Sequence, residues 1–107
     1  YVHVLDLAQA HVLAVEDIQP GEAKSYNVGN GTGFSVQEVV EACRRITQHP
    51  IPVRLRPPRA GDPPFLVADS SLIRSQLGWD PHFTALEGII ASAWDWHKRH
   101  PRGYVTD

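Results

Sequence analysis

YNVGNGTGFSVQE, residues 26–38, decides the fold, because the end of a strand-like segment, a glycine-rich loop and a helix start follow one another there. Residues 23–28 predict a short strand. Residues 29–33, the glycine loop, hold three glycines in five positions, which indicates a backbone that needs conformational freedom. Ser35 and Glu38 form the S-x-x-E pattern of a capping box. The stretch therefore predicts a strand, a loop and a helix in succession.

A glycine-rich loop between a strand and a helix is also typical of dinucleotide-binding sites. The G-x-G-x-x-G pattern needs its third glycine where Phe34 stands, and the next predicted strand, residues 51–56, ends without an acidic residue for a ribose hydroxyl. A tight turn that leads into the helix is therefore the favoured interpretation. The free amides of the first helical turn could still donate hydrogen bonds to an anion or a base.

Four helices are predicted from apolar spacing, caps, glycines and prolines. Their predicted borders are Asp6 to Pro20, Ser35 to Gln48, Asp69 or Ser70 to Gly78, and a second capping box at Thr84 and Glu87 to Pro101. The apolar side of the first helix is predicted to hold Leu7, His11, Ala14 and Ile18.

Three segments carry strand-like patterns. Tyr1 to Val4 alternates, residues 23–28 offer a short strand before the glycine loop, and residues 51–56 alternate around Pro52, which favours an edge strand. Together with the helices, these segments predict a small α/β domain with about four helices and two or three short strands. One domain over residues 1–107 fits this length.

Composition excludes several classes of function. The chain has 107 residues, 42% of them hydrophobic, and no apolar run approaches the roughly 20 residues of a membrane span, so no membrane partner is expected. Its net charge is −2 and its basic residues are scattered, so no nucleic-acid partner is expected. The single cysteine, Cys43, has no internal disulfide partner, which makes a cytoplasmic location the default expectation.

Neither a metal site nor a cysteine nucleophile is predicted. The six histidines show no metal-binding spacing; they are His3, His11, His49, His82, His97 and His100. Cys43 stands on the apolar side of the second helix, where a small core residue is the ordinary interpretation.

Residues 57–64, the arginine loop, form the candidate binding segment. The loop holds four prolines and one glycine, which predicts an irregular but stiff backbone. Arg59 could bind phosphate through its planar fork of donors, and Asp62 could accept hydrogen bonds from sugar hydroxyls. An ion pair between Arg59 and Asp62 that only braces the loop is an equally good interpretation.

Several motifs, in this order, resemble the C-terminal third of UDP-glucose 4-epimerases, which are extended short-chain dehydrogenase/reductases. The resemblance covers nearly the whole chain, and the motif near the C-terminus is its most specific part. The motifs are Tyr1-Val2-His3-Val4-x-Asp6-Leu7-Ala8, Tyr26-Asn27-Val28-Gly29-Asn30-Gly31, Pro58-Arg59-x-Gly61-Asp62-Pro63, Leu77-Gly78-Trp79 and Trp94-x-Trp96-His97-x-x-His100-Pro101-x-Gly103-Tyr104.

The resemblance implies a UDP-sugar site. In it, Arg59 contacts the diphosphate, Asp62 the uridine ribose, and Val36 the uracil. Leu66 stands near the nucleotide sugar, where family members often carry tyrosine. The domain implied is a C-terminal UDP-sugar-binding domain.

The resemblance also implies what the chain lacks. The family holds NAD on an N-terminal Rossmann domain and uses a Tyr-x-x-x-Lys pair, and neither is found here. A chain that opens on Tyr1 and contains no methionine favours a piece of a longer protein. The piece alone is expected to be inactive, while the parent is expected to be a homodimer. Alternatives are a non-catalytic UDP-binding module, a self-associating remnant, and a fragment of a related nucleotide-sugar epimerase or dehydratase.

Overall fold

The computed structural model describes residues 1–104, which form four helices joined by long irregular segments. The helices are α1 (Val4–Asp17), α2 (Val36–Thr47), α3 (Ser71–Leu77) and α4 (Leu86–Arg99). α1 packs against α3, and α2 packs against α4. Within residues 1–104, helix packing is confined to these two pairs. No helix in this range is long and apolar enough to cross a bilayer.

The prediction of an α/β domain with two or three strands was wrong, because residues 1–104 contain no strand. Val4 already belongs to α1, and no backbone hydrogen bond pairs residues 23–28 or 51–56 with another segment of the described chain. A strand exists only as a member of a hydrogen-bonded ladder, and an alternating pattern reports extended backbone without supplying a partner. Prolines in and around residues 51–56 also remove donors that a ladder needs.

The second helix begins and ends where the sequence predicts, and the third helix ends where it predicts. In the capping box of α2, the Ser35 hydroxyl accepts from the amide of Glu38 at 3.2 Å, and the Glu38 carboxylate accepts from the amide of Ser35 at 2.7 Å. Gln48 closes α2 with a φ of 58°, and Gly78 closes α3 with a φ of 65°. Both capping signals are local in sequence, and both predictions are confirmed.

Two predicted caps were wrong. His3, not Asp6, caps α1, because its ring Nδ1 accepts from the amide of Leu5 at 3.1 Å. α4 follows Ala85 without any side-chain cap, so the capping box expected at Thr84 is not formed. The carbonyl of Thr84 instead accepts from the side-chain amide of Asn30 at 3.3 Å.

The apolar core is small. Ala10, Ile73 and Trp79 form its centre, while Ala42 and Leu86 are buried elsewhere. The radius of gyration is 17.0 Å, against about 13 Å for a compact domain of this length. Many large apolar side chains are exposed; among them are Val4, Leu5, Val12, Val15, Val53, Leu55, Phe65 and Leu66. The described residues therefore leave much apolar surface uncovered.

Four buried polar side chains join the elements that do not pack directly; we call His3, Asp6, Asn30 and Ser70 the seam. The Asp6 carboxylate, only 1% exposed, accepts from the amides of His82 and Phe83 at 2.9 Å each. These bonds tie α1 to the segment before α4. Every buried side-chain nitrogen and oxygen within residues 1–104 has a hydrogen-bond partner.

Candidate functional site

The glycine loop lies directly against residues 67–68. A Cβ atom added to Gly29 would stand 2.9 Å from the Cβ of Ala68, and one added to Gly33 would stand 2.7 Å from Cγ2 of Val67. Ser70 fixes this approach, because its hydroxyl donates to the carbonyl of Gly29 at 2.6 Å and accepts from the Gly29 amide at 3.0 Å. The loop needs glycine here because side chains would push the two segments apart.

A cleft of about 140 Å³ opens beside this contact. Its walls are the glycine loop, residues 66–68, Phe34 and the first two residues of the chain. The rings of Tyr1 and Phe34 lie 6.4 Å apart at a tilt of 57°. Whole small-molecule sites usually measure about 300 to 1,000 Å³, so a cleft of this size holds only part of a ligand.

The structure brings two of the four predicted site residues to the cleft region. Leu66 lines the cleft and is 85% exposed. Val36 begins α2, two positions after Phe34, and is 75% exposed. Both apolar side chains are thus available to a ligand.

The other two predicted residues lie in the arginine loop and do not line the cleft. Nε of Arg59 pairs with Oδ2 of Asp62 at 2.8 Å, and the amide of Asp62 donates to the carbonyl of Arg59 at 3.2 Å. The bracing ion pair is therefore present. The Arg59 side chain is nevertheless 84% exposed, and pairing through Nε leaves its two terminal amino groups at the surface. Arg59 can therefore brace the loop through Nε and still offer its terminal amino groups to a ligand.

The first turn of α2 carries a negative charge. The Ser35 amide, and then the Ser35 hydroxyl, hydrogen-bond the Glu38 carboxylate and lower its pKa below the ordinary 4.5. An ionised carboxylate at this point disfavours a phosphate. Because Phe34 also replaces the third glycine of the dinucleotide pattern, these residues do not fit the pyrophosphate of NAD.

The titratable groups of the described chain include no acid–base pair in the cleft. Hydrogen bonds to Asp17 and then Glu22 raise the pKa of Lys24 to about 12. The other lysine, Lys98, pairs with Asp95 at 2.7 Å and lowers the pKa of that carboxyl. Both pairs are on the surface, and no group of three metal-ligating side chains occurs within residues 1–104.

Sequence reasoning missed Tyr1 as a wall of the cleft and the seam as its support. Tyr1 was noticed only for its place in a strand-like run and in a motif. Asp6 offers a signal that can be read in hindsight. It shares a helical face with Ala10 and Leu13, and an acid on a buried face needs a specific partner.

No protein-family model matches the chain. It is 51% identical over 108 aligned positions to the UDP-glucose 4-epimerase of Halalkalibacterium halodurans, a match that covers 100% of this chain and 32% of that enzyme. A crystal structure of a UDP-glucose 4-epimerase superposes with a TM-score of 0.88 at 48% identity, covering 99% of this chain and 32% of the other.

The UDP-glucose 4-epimerase of Bifidobacterium longum, solved in complex with NAD+ and UDP, superposes with a TM-score of 0.84 at 36% identity. That match covers 97% of this chain and 31% of the other. The chain thus spans about a third of the length of the relatives it matches. The resemblance to the C-terminal part of UDP-glucose 4-epimerases is confirmed.

Proposed function

We propose that this chain supplies the UDP-sugar-binding part of an NAD-dependent UDP-glucose 4-epimerase, which interconverts UDP-glucose and UDP-galactose. The observation that carries the proposal is the superposition of nearly the whole chain on an epimerase solved with NAD+ and UDP. The exposed guanidinium of Arg59 and the cleft between Tyr1 and Leu66 support it.

Each proposed contact follows from the chemistry of its side chain. The terminal amino groups of Arg59 bind diphosphate oxygens as charge-assisted donors. Asp62 holds the Nε side of that guanidinium and accepts from the ribose hydroxyls with its remaining lone pairs. Val36 gives the uracil an apolar surface, and Leu66 lies on the sugar side of the ligand.

The chain contributes binding and orientation to the reaction, and it does not contribute proton transfer. Both lysines are held in surface ion pairs, and neither stands four positions after a tyrosine. NAD, which carries the hydride in the complete enzyme, is held by residues outside this chain. The 107 residues alone therefore bind without turning over.

Titration of the 107-residue chain with UDP, followed by amide chemical shifts, tests the proposal. We expect saturable shifts near Val36 and Arg59. Because a charge-assisted hydrogen bond contributes about 1.5 to 3 kcal/mol, Arg59→Ala should weaken UDP binding at least about tenfold. Arg56→Ala is the matched control, because it removes an arginine just outside the same loop and should leave the affinity unchanged.

Two results would contradict the proposal. One is the absence of shifts at millimolar UDP, and the other is equal weakening by Arg59→Ala and Arg56→Ala, which would indicate nonspecific attraction to positive charge. Conversion of UDP-galactose by the isolated chain with added NAD would contradict the assignment of a binding part only.

A second candidate function is self-association. The exposed apolar side chains on α1 and in residues 53–66 favour it, because uncovered apolar patches of this kind drive contact between molecules. Sedimentation of the chain over a hundredfold concentration range tests it. A sedimentation coefficient independent of concentration would exclude association of the isolated chain.

A further inference from the structure

We propose that His3 is a positioning residue for the cleft, which it serves by holding Tyr1 against Phe34 over the glycine loop. The inference rests on the proposed function, because the cleft is taken as part of the UDP-sugar site. It goes beyond that function in assigning a ligand-ordering role to a buried side chain outside the cleft. His3 is 4% exposed and lines none of the cleft wall.

Three contacts fix the His3 ring. Its Nδ1 accepts from the amide of Leu5 at 3.1 Å, and its Nε2 lies 2.8 Å from the hydroxyl of Ser92 on α4. That hydroxyl donates to the carbonyl of Ile89 at 2.9 Å, so Nε2 is the donor to Ser92. The ring also stacks on Phe83, with centroids 4.0 Å apart and planes 21° from parallel. A single neutral tautomer satisfies all of these contacts.

The Phe83 side of this arrangement is held independently. The Asp6 carboxylate accepts from the amide of Phe83 at 2.9 Å, so the aromatic surface on which His3 lies is anchored to α1 by a second buried group. The His3 ring is consequently clamped between Ser92 on α4 and the ring of Phe83, whose backbone is tied to α1. Rotation of the His3 backbone would break one of these contacts.

Only Val2 separates His3 from Tyr1. His3 is extended, with φ −72° and ψ 142°, and Val2 packs against the core and lines the cleft. The direction in which the chain leaves His3 therefore determines where the Tyr1 ring lies. The Tyr1 ring is exposed and lies against Phe34, and the clamp at His3 sets the direction from which it approaches that ring.

The substitution His3→Asn tests the positioning role of His3 separately from its role as the cap of α1. His3→Asn keeps an excellent N-cap for α1, because an asparagine side chain accepts from the first helical amides, but it is too short to reach Ser92. Ser92→Ala removes the same contact from the α4 side and introduces a good helix former, so the chain keeps its fold. His11→Ala is the control, since His11 is an exposed histidine on α1 bonded only to the carbonyl of Leu7.

The first measurement is the nuclear Overhauser effect between the Tyr1 and Phe34 rings without ligand, and the second is the affinity for UDP. We expect the contact in the wild type and in His11→Ala, and its loss in His3→Asn and Ser92→Ala with the helix signal of α1 retained. UDP affinity should fall about fivefold in both His3→Asn and Ser92→Ala, in proportion to one net hydrogen bond.

Three outcomes overturn the inference and leave the proposed function standing. They are an unchanged ring contact in His3→Asn and Ser92→Ala, the absence of the contact in the wild type, and lost contact with unchanged UDP affinity. A wild-type chain that shows the ring contact but binds no UDP overturns the proposed function as well. In that case His3 is a structural residue only. The two failures are thus told apart by which readout fails in the wild type.

Discussion

The seam and the arginine loop are both polar, yet they stand in opposite relation to the rest of the chain. The four seam side chains are buried, and each has its hydrogen-bond partners inside the described residues. The arginine loop is exposed throughout and has one side-chain ion pair, between Arg59 and Asp62. Polar groups that are satisfied internally stabilise the fold, whereas polar groups left at the surface are available to a ligand.

Because the seam is buried and the arginine loop is exposed, their polar contacts also contribute different free energies to folding. Removing the acceptor of a buried donor destabilises the folded chain by about 1 to 3 kcal/mol, because water cannot replace the missing partner. An exposed ion pair contributes about 0 to 1 kcal/mol, because water and salt screen it. Substitutions in the seam should therefore change stability, and substitutions in the arginine loop should change binding.

Asp6→Ala should have the largest effect on stability. It removes both hydrogen bonds that the buried carboxylate accepts from the amides of His82 and Phe83, at about 1.5 to 3 kcal/mol each because the acceptor is charged, a large fraction of the stability of a small domain. We expect no cooperative transition in urea. Asp80→Ala, at an exposed acid 3.6 Å from Arg74, is the control and should leave the transition in place. Equal effects of the two substitutions would contradict the comparison.

Ser70→Ala should have the second-largest effect on stability. It removes both hydrogen bonds between the Ser70 hydroxyl and Gly29, and the loss should be about 1 to 3 kcal/mol by urea denaturation. Ser75→Ala in α3, the helix that follows Ser70, removes an exposed hydroxyl that bonds only to the carbonyl of Leu72, and should change stability by less than about 0.5 kcal/mol. A loss at Ser75 that matches the loss at Ser70 would show that burial does not decide the effect.

Ser35→Ala should destabilise the chain by about 1 kcal/mol, the usual effect of losing an N-cap. The Ser35 hydroxyl accepts from the amide of Glu38, so the first turn of α2 should fray. Faster amide hydrogen exchange in that turn, with unchanged exchange in α3, is the expected measurement. A uniform increase over both helices would mean that the cap acts on global stability instead.

The same cap should respond to pH. The pKa of Glu38 is lower in the folded chain than its ordinary 4.5, chiefly because the Ser35 amide hydrogen-bonds the ionised form. Its contribution is therefore complete above about pH 4.5 and is lost as the pH falls through the folded-state pKa. The protection factors of the amides in the first turn of α2, which compare each observed exchange rate with the intrinsic rate at the same pH, should fall over that range. In Glu38→Gln, this local pH-dependent fall should disappear.

Arg59→Ala should have the smallest effect on stability, below about 0.5 kcal/mol, because its ion pair with Asp62 is exposed. Its effect on UDP binding should be at least about tenfold, as set out above. A variant that lost both stability and binding in proportion would show that the arginine loop supports the fold, and it would remove the contrast with the seam.

Sequence patterns predicted two of the four helix-capping features correctly and missed the contacts between distant residues. The capping box at Ser35 and the C-cap at Gly78 depend on neighbours within four positions, and both were predicted correctly. A strand at residues 51–56 would depend on a partner elsewhere, which the described chain does not contain. The alternating pattern indicates a strand-like segment, but it carries no information on whether a partner strand exists.

The first helix shows the same limit on a smaller scale. Spacing predicted an apolar side with Leu7 and His11, whereas the buried side carries Asp6 and Ala10, one position earlier. An aspartate at the start of a helical pattern predicts an N-cap, because aspartate is a preferred cap residue and is usually exposed at the surface. Its true partners are the amides of residues 82 and 83, and nothing within one helical turn indicates them.

For the site, the resemblance supplied Arg59, Asp62, Val36 and Leu66, and the last of these lines the observed cleft. Composition alone could not have chosen between an ion pair and a ligand contact at Arg59, because the two use different atoms of one guanidinium. The contribution of Tyr1 depends on Phe34, 33 positions away in sequence, and only the folded chain brings the two rings together.

The close approach of the glycine loop to residues 67–68 has a consequence for how this protein can vary. In a saturation library selected for UDP binding, Gly29 and Gly33 should be nearly intolerant of any replacement, since the first added carbon already meets Ala68 or Val67. A compensating change at Ala68 has little room to help, because only glycine is smaller than alanine. Variation should therefore collect at exposed positions that neither close this contact nor hold the ligand, so that the library diversifies around an almost invariant point of close packing.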